Sequence, residues 1–161
     1  MEMTSQRDIH RVSPACAIPD LAGEITAALA GTGPALGLGE VRSTGAPSRI
    51  ALVIGTSGTT GMSKEVAFTA SALLASARAS NKFLEAKPGQ QWSLFLPLTH
   101  IAAVNVIIRS MELGTLPIDL REHQGEYPKV DFTSIVPTQL FRALNSDERL
   151  LRHLQSAQAV L

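Results

Sequence analysis

The sequence predicts an α/β fold: a largely parallel sheet with covering helices. Short runs at 50–54 and 92–96 are apolar at almost every position, as strands buried on both faces are, and 132–136 with Phe132, Ile135 and Val136 is a further strand. Between and after them, segments at 70–86, 101–113 and 137–144 carry helix-forming composition. Pro88-Gly89, Pro97, Gly114 and Pro137 mark the junctions, and this alternation of strand and helix is the pattern of a parallel sheet covered by crossover helices.

The 161 residues fit one domain able to bury a real core, and 45% hydrophobic against 17% charged residues describes a globular chain. Fourteen basic and fourteen acidic residues cancel, so no cationic surplus points to nucleic acid or to an anionic membrane surface. A single cysteine, Cys16, excludes an intramolecular disulfide and has no Cys or His neighbour at metal-ligand spacing. Glu2, Arg7 and Asp8 precede any apolar stretch, unlike a signal peptide, and no apolar run reaches the ~18 residues of a membrane span. The expectation is a soluble, cytoplasmic protein.

Residues 1–48 read as a poorly ordered lead-in with a short helix and a Gly/Pro-rich linker, leaving 49–161 as the folded unit. Asp20 is the expected cap of a helix over 21–30, in which Leu21, Ile25, Ala28 and Leu29 share a face and Gly31 stops the turn. Seven of the eighteen residues from 31 to 48 are Gly or Pro, a linker composition. The run Ile50-Ala51-Leu52-Val53-Ile54 is a buried strand, and Glu65-Val66-Ala67-Phe68-Thr69 returns beside it, making the intervening loop a hairpin tip. A helix over 70–86 sets Leu73, Leu74, Ala77, Ser80 and Leu84 near one face. Trp92 to Pro97 is a second central strand. His100 opens a nearly all-apolar helix over 101–113, and a short strand at 116–120 is placed near an edge by Pro117. Phe132 to Val136 is a further strand, Pro137 starts a helix at its first turn, and another helix runs over 147–156. Ala159-Val160-Leu161 reads as the beginning of one more strand, which suggests a piece of a longer polypeptide.

Thr56-Ser57-Gly58-Thr59-Thr60-Gly61-Met62-Ser63-Lys64 follows the first central strand. Gly, Ser and Thr also make ordinary linkers. At a strand end, however, glycines can turn successive N–H groups into one concavity, and with surrounding hydroxyls and an ammonium this composition suits phosphates. The Walker loop is excluded because Gly61 and Lys64 are separated by two residues, and Gly55, Gly58 and Gly61 do not make the dinucleotide fingerprint.

The stretch resembles the phosphate loop of the adenylate-forming superfamily of acyl-CoA synthetases, luciferases and peptide-synthetase adenylation domains, Thr-Ser-Gly-Thr-Thr-Gly-x-Pro-Lys-Gly. Ser63 stands for the usual Pro and Glu65 for the usual Gly. Leu96-Pro97-Leu98-Thr99-His100-Ile101-Ala102 resembles a second motif, a strand ending in Pro before an aromatic or histidine gate. Phe132 to Leu140 resembles the strand-to-helix segment lining the acyl pocket. Together with Ala51-Leu52-Val53, Ile108-Arg109-Ser110 and Val136-Pro137-Thr138-Gln139-Leu140, the chain is most similar to the actinobacterial o-succinylbenzoate–CoA ligase branch, which serves menaquinone biosynthesis.

The resemblance implies part of the N-terminal domain of an adenylate-forming enzyme. In that family a carboxylate attacks ATP to give an acyl-adenylate, and coenzyme A then displaces AMP. It implies that Thr56, Ser57, Gly58, Thr59, Thr60, Gly61 and Lys64 hold the ATP phosphates with Mg²⁺ bridging them, and that Lys64 and His100 are the catalytic candidates. His100, Arg109, Ser134, Thr138 and Gln139 become acyl-substrate candidates, although capping for Thr138 and a structural ion pair for Arg109 remain open. His10, His123 and His153 are assigned nothing, and no protein metal ligand is assigned. Family members carry downstream a Gly-Gly segment and a Tyr-Gly-x-Thr-Glu motif that grip adenine and Mg²⁺, absent from these 161 residues, so the isolated chain is expected to be inactive. Two other readings stand beside this one: a shortened, non-catalytic domain binding a phosphate ligand or partner, and a CoA ligase for another fatty or aromatic acid. The expected partners are a small carboxylate, ATP and coenzyme A, without nucleic acid or membrane; an open apolar edge would favour self-association or be covered by a C-terminal portion.

Overall fold

The computed structural model describes residues 5–56 and 64–161. Its elements are β1 (Gln6–Arg11), α1 (Ile18–Ala30), β2 (Ala35–Leu38), β3 (Gly45–Pro47), β4 (Ile50–Thr56), β5 (Lys64–Thr69), α2 (Ala70–Phe83), β6 (Trp92–Leu94), α3 (Ile101–Glu112), β7 (Ile118–Asp119), β8 (Phe132–Ser134), α4 (Pro137–Asn145), α5 (Glu148–Ser156) and β9 (Ala159–Val160). The α/β class is as expected, but the strands form two sheets rather than one, ordered β3-β1-β2-β4-β5 and β7-β6-β8-β9. The second sheet is parallel throughout. The first is parallel at β1–β2 and β2–β4 and antiparallel at β1–β3 and β4–β5.

The expectation of a poorly ordered lead-in and linker is corrected: β1 and β2 belong to the same sheet as β4. Arg7 explains part of this order, because its guanidinium donates to the Ala28 carbonyl at 3.0 Å and the Pro34 carbonyl at 2.7 Å, tying β1 to the end of α1. Carbonyls at a helix C-terminus lack intrahelical partners, and a cation there meets both that need and the helix dipole. Helix α1 also starts earlier than expected: Ala17 is the N-cap, proline occupies the first turn, and Asp20 is a first-turn acid rather than the cap. Gly31 closes the helix in the left-handed conformation at φ 75°, as read from sequence.

Helix α3 joins the two halves. Ala103, Val104, Val106, Ile107 and Ile108 are buried in one core with Leu21 and Ile25 of α1, Leu36 and Leu52 of the first sheet, Leu73 of α2, and Trp92 and Leu94 of the second. Burying each such aliphatic side chain stabilises the fold by roughly 1.5–3 kcal/mol. Because α3 is apolar nearly all round it cannot face solvent, so the elements around it are fixed by one helix. No helix among the described residues is long and apolar enough to cross a membrane.

A smaller cluster of Ala143, Leu150 and Leu154 holds α4 and α5 against Phe95, Tyr127 and Ile135. His153, 3% exposed, lies on the same α5 face, with its Nε2 3.0 Å from Ser93 Oγ. Ser93 Oγ donates in turn to Thr133 Oγ1 at 2.7 Å, so imidazole, serine and threonine form one buried hydrogen-bonded chain. Phe95 and Tyr127 pack edge-on against the ring at 5.2 and 5.4 Å. Burial pushes the imidazole below its ordinary value of 6.5, with the Pro128 carbonyl opposing.

Two outcomes follow from these contacts. A Cβ added at Gly55 would stand 2.1 Å from the Glu40 carbonyl oxygen, so Gly55→Ala should lower the urea midpoint by the equivalent of about 1–3 kcal/mol or more. Because His153 is neutral when folded and free to protonate when unfolded, its contribution is complete above pH 6.5 and is lost as pH falls below that value. Between pH 7.5 and pH 5.5 the urea midpoint should therefore fall more for the native chain than for His153→Gln, which keeps a polar amide in that place but cannot titrate.

Candidate active site

Parallel strands place ligands beyond their carboxyl ends. β4 ends at Thr56 and β5 begins at Lys64, and the two residues are paired in antiparallel register. The Thr56 hydroxyl donates to the Lys64 carbonyl at 3.0 Å, closing the base of the hairpin expected from sequence. Both side chains are exposed. The candidates Ser57, Gly58, Thr59, Thr60 and Gly61 lie outside the described residues, as do Met62 and Ser63.

The connection from β2 to β3 runs against this base. An added Cβ at Gly39 would meet the Gly55 carbonyl oxygen at 3.1 Å and the Thr99 carbonyl oxygen at 4.0 Å. Hence the segment leading into α3 lies beside the ends of β2 and β4, and the residue after Thr99 is the predicted gate. His100 is the N-cap of α3, exposed, with no cap hydrogen bond from its side chain. Its imidazole is free to meet a ligand in a way that a capping residue would not be.

Arg109 lies two turns further along α3. Its guanidinium carbon is 5.5 Å from the centroid of the Trp92 ring, and Nη1 donates to Ser134 Oγ at 3.4 Å. Burial lowers its pKa. Among the described residues no carboxylate pairs with it, so the structural ion pair left open by the sequence is not made. A half-buried cation stacked on an indole and lacking a counter-anion is suited to receive one. Ser134, 6% exposed at the end of β8, is therefore brought together with Arg109 and Trp92.

The other two pocket candidates stand at the start of α4. Gln139 is engaged locally: its Oε1 accepts from the Val136 N–H at 3.0 Å and its Nε2 donates to the Phe95 carbonyl at 3.5 Å. The amide thus closes the helix start onto the end of β6. Thr138 is exposed one position earlier, and Val136 rather than Thr138 is the N-cap. Among the described residues no three His, Cys, Asp or Glu side chains converge that could hold a metal ion.

Sequence reasoning missed Glu65. Directly opposite Gly55 in register, its carboxylate accepts from the backbone N–H groups of Arg42 and Ser43 and from the Ser43 hydroxyl. The Ser43 hydroxyl first, and then the two backbone donors, hold this carboxyl below the usual carboxylate range. Its signal in the sequence is the departure from the glycine of the resembled motif.

The sequence profile of the family described as AMP-binding enzyme matches residues 7–159. A probable 2-succinylbenzoate–CoA ligase of Mycobacterium tuberculosis (strain CDC 1551 / Oshkosh) is 39% identical over 124 residues, covering 70% of this chain and 32% of the relative. The 2-succinylbenzoate–CoA ligase of Salmonella typhimurium is 33% identical over 101 residues, covering 61% of this chain and 22% of that protein. The chain therefore spans about a third or less of the curated relatives it matches. Escherichia coli MenE with a bound m-phenylether-linked analogue of OSB-AMS superposes with a TM-score of 0.53 at 26% identity, over 92% of this chain and 36% of that one. The N-terminal domain of FACL13 from Mycobacterium tuberculosis gives 0.54 at 17% identity, over 88% and 47%, a likeness of fold alone. A match over nearly all of the sequence, joined to this fold and to the loop carried between Thr56 and Lys64, shows that the chain belongs to the AMP-binding enzyme family.

Proposed function

We propose that this chain carries the N-terminal portion of an ATP-dependent acid–CoA ligase that activates o-succinylbenzoate. In the first step a carboxylate oxygen attacks the α-phosphorus of ATP and the bond to pyrophosphate breaks. In the second, the sulfur of coenzyme A attacks the acyl carbon and AMP departs with the acyl oxygen. The observation that carries this reading is the β4–β5 hairpin, whose limbs Thr56 and Lys64 face each other at the end of a strand paired in parallel with β2. That hairpin delivers a loop of hydroxyls, glycines and an ammonium, the chemistry that neutralises phosphate charge and fixes its position.

The choice of acid rests on Arg109 together with the similarity to the two succinylbenzoate–CoA ligases. o-Succinylbenzoate has two carboxylates. One reacts, and the other needs a partner in a pocket that is partly apolar. Arg109, stacked on Trp92 and unpaired with any described carboxylate, offers a planar fork for it, and Ser134 steers that fork. His100, exposed at the start of the same helix, is assigned to the reacting carboxylate. Mg²⁺, when bound with ATP, would supply neutralisation of phosphate charge; among the described residues no cluster of carboxylates is placed to hold it.

ATP–pyrophosphate exchange with o-succinylbenzoate tests the reading, comparing this chain alone with a form extended through the downstream Gly-Gly and Tyr-Gly-x-Thr-Glu motifs. Exchange in the extended form, abolished by Lys64→Ala with Gly58→Ala, is expected. Exchange with other acids but not this one would overturn the substrate, and none with any acid would favour a non-catalytic binding domain. In the active form, Arg109→Ala should raise KM for o-succinylbenzoate about tenfold or more with KM for ATP unchanged, and Arg109→Lys should fall between.

A further inference from the structure

We propose that Glu65 is a positioning residue for the phosphate site, fastening the limb that bears Lys64 to Arg42 and Ser43 of the β2–β3 connection. The inference rests on the phosphate role proposed above for residues 56–64, and it gives a task to a residue that the family pattern fills with glycine.

The base of the hairpin is held on both sides by one connection. On the incoming side, the backbone of Gly55 passes the Glu40 carbonyl so closely that no side chain fits between them. On the outgoing side, Glu65 Oε1 accepts from the N–H of Arg42 and from the N–H of Ser43 at 3.0 Å, while Oε2 accepts from the Ser43 hydroxyl. Both carboxylate oxygens are thereby engaged by neutral donors fixed on the backbone or beside it. Charge-assisted hydrogen bonds of this kind are about twice as strong as neutral ones. Residues 40–43 thus touch Gly55 by steric contact and Glu65 by hydrogen bonds, and these two residues are register partners.

A carboxylate beside Lys64 would by itself repel phosphate. Here its two oxygens are turned onto donors of the β2–β3 connection, which sets the spacing of Thr56 and Lys64 instead of competing for the ammonium. The two roles predict opposite signs. If Glu65 acted only as a nearby charge, neutralising it would tighten phosphate binding. As a clamp, removing it weakens binding, and Ser43, which carries no charge, has an effect in the same direction.

The test is calorimetric titration of the 161-residue chain with inorganic tripolyphosphate at fixed ionic strength, for the native protein, Glu65→Ala, Glu65→Gln and Ser43→Ala, each verified as folded by circular dichroism. The expected result is about tenfold weaker binding for Glu65→Ala, a smaller loss for Glu65→Gln and for Ser43→Ala, and no further loss when Ser43→Ala is added to Glu65→Ala. Should Glu65→Ala not fold, Ser43→Ala, which removes one hydroxyl, decides the question alone. Binding that is unchanged or tighter in the folded variants would overturn the clamp and leave the phosphate site standing. Absence of tripolyphosphate binding by the native chain would overturn the phosphate site and the clamp with it.

Discussion

The close approach of Gly55 to the Glu40 carbonyl is the constraint on which the rest of the site depends. A strand end is normally free to splay, and a loop hung on a splayed end cannot present donors at fixed spacing. Here the end of β4 is pressed against residues 39–40, its partner β5 is tied to residues 42–43, and Thr56 bonds across to Lys64. The β2–β3 connection is in turn fixed by β2, which lies between β1 and β4 with every one of its residues buried. The spacing of Thr56 and Lys64 is therefore set in part from β2, the strand paired with β4.

Helix α3 extends that frame to the residues proposed for the acyl side. It packs against α1, α2 and β6, and its first turn begins beside the ends of β2 and β4. His100 and Arg109 are thus placed by a single rigid element whose apolar faces are buried. Rigid helices hold functional side chains more closely than loops do. The same burial leaves Arg109 with an indole face and one hydroxyl but no described carboxylate, an arrangement that by itself costs stability and favours an anionic guest.

Much of this is legible in the sequence because local and tertiary preferences agree. The run at 50–54 is apolar on both faces, Pro137 opens α4, and the polarity of residues 65–69 announces a returning strand, so each of these elements appears where its residues place it. The first 48 residues depart from their expected disorder for physical reasons. β1 contains Gln6, Arg7, Asp8, His10 and Arg11 and lacks an apolar face, and β2 is four residues set among glycines, so both strands are made by pairing with neighbouring strands and by the Arg7 contacts rather than by propensity. The role of His153 is hidden for another reason. Leu150, His153 and Leu154 follow one face of α5, and that spacing places the imidazole in the core, but its partner Ser93 is sixty residues away. Glu65 likewise bonds to residues more than twenty positions earlier, which no local pattern reveals.

The proposed arrangement sets a phosphate loop beside the first turn of α3 and an acid site at Arg109, nine residues beyond His100. Amide chemical-shift mapping of the chain during titration with ATP, followed by o-succinylbenzoate, tests it most directly. ATP should move the amides of residues 56–64 and of the adjoining 39–43, and the acid should move those around His100, Arg109 and Ser134. Shifts gathered instead around Arg142 and Arg149 on α4 and α5, or ATP and acid acting on unconnected surfaces, would contradict it.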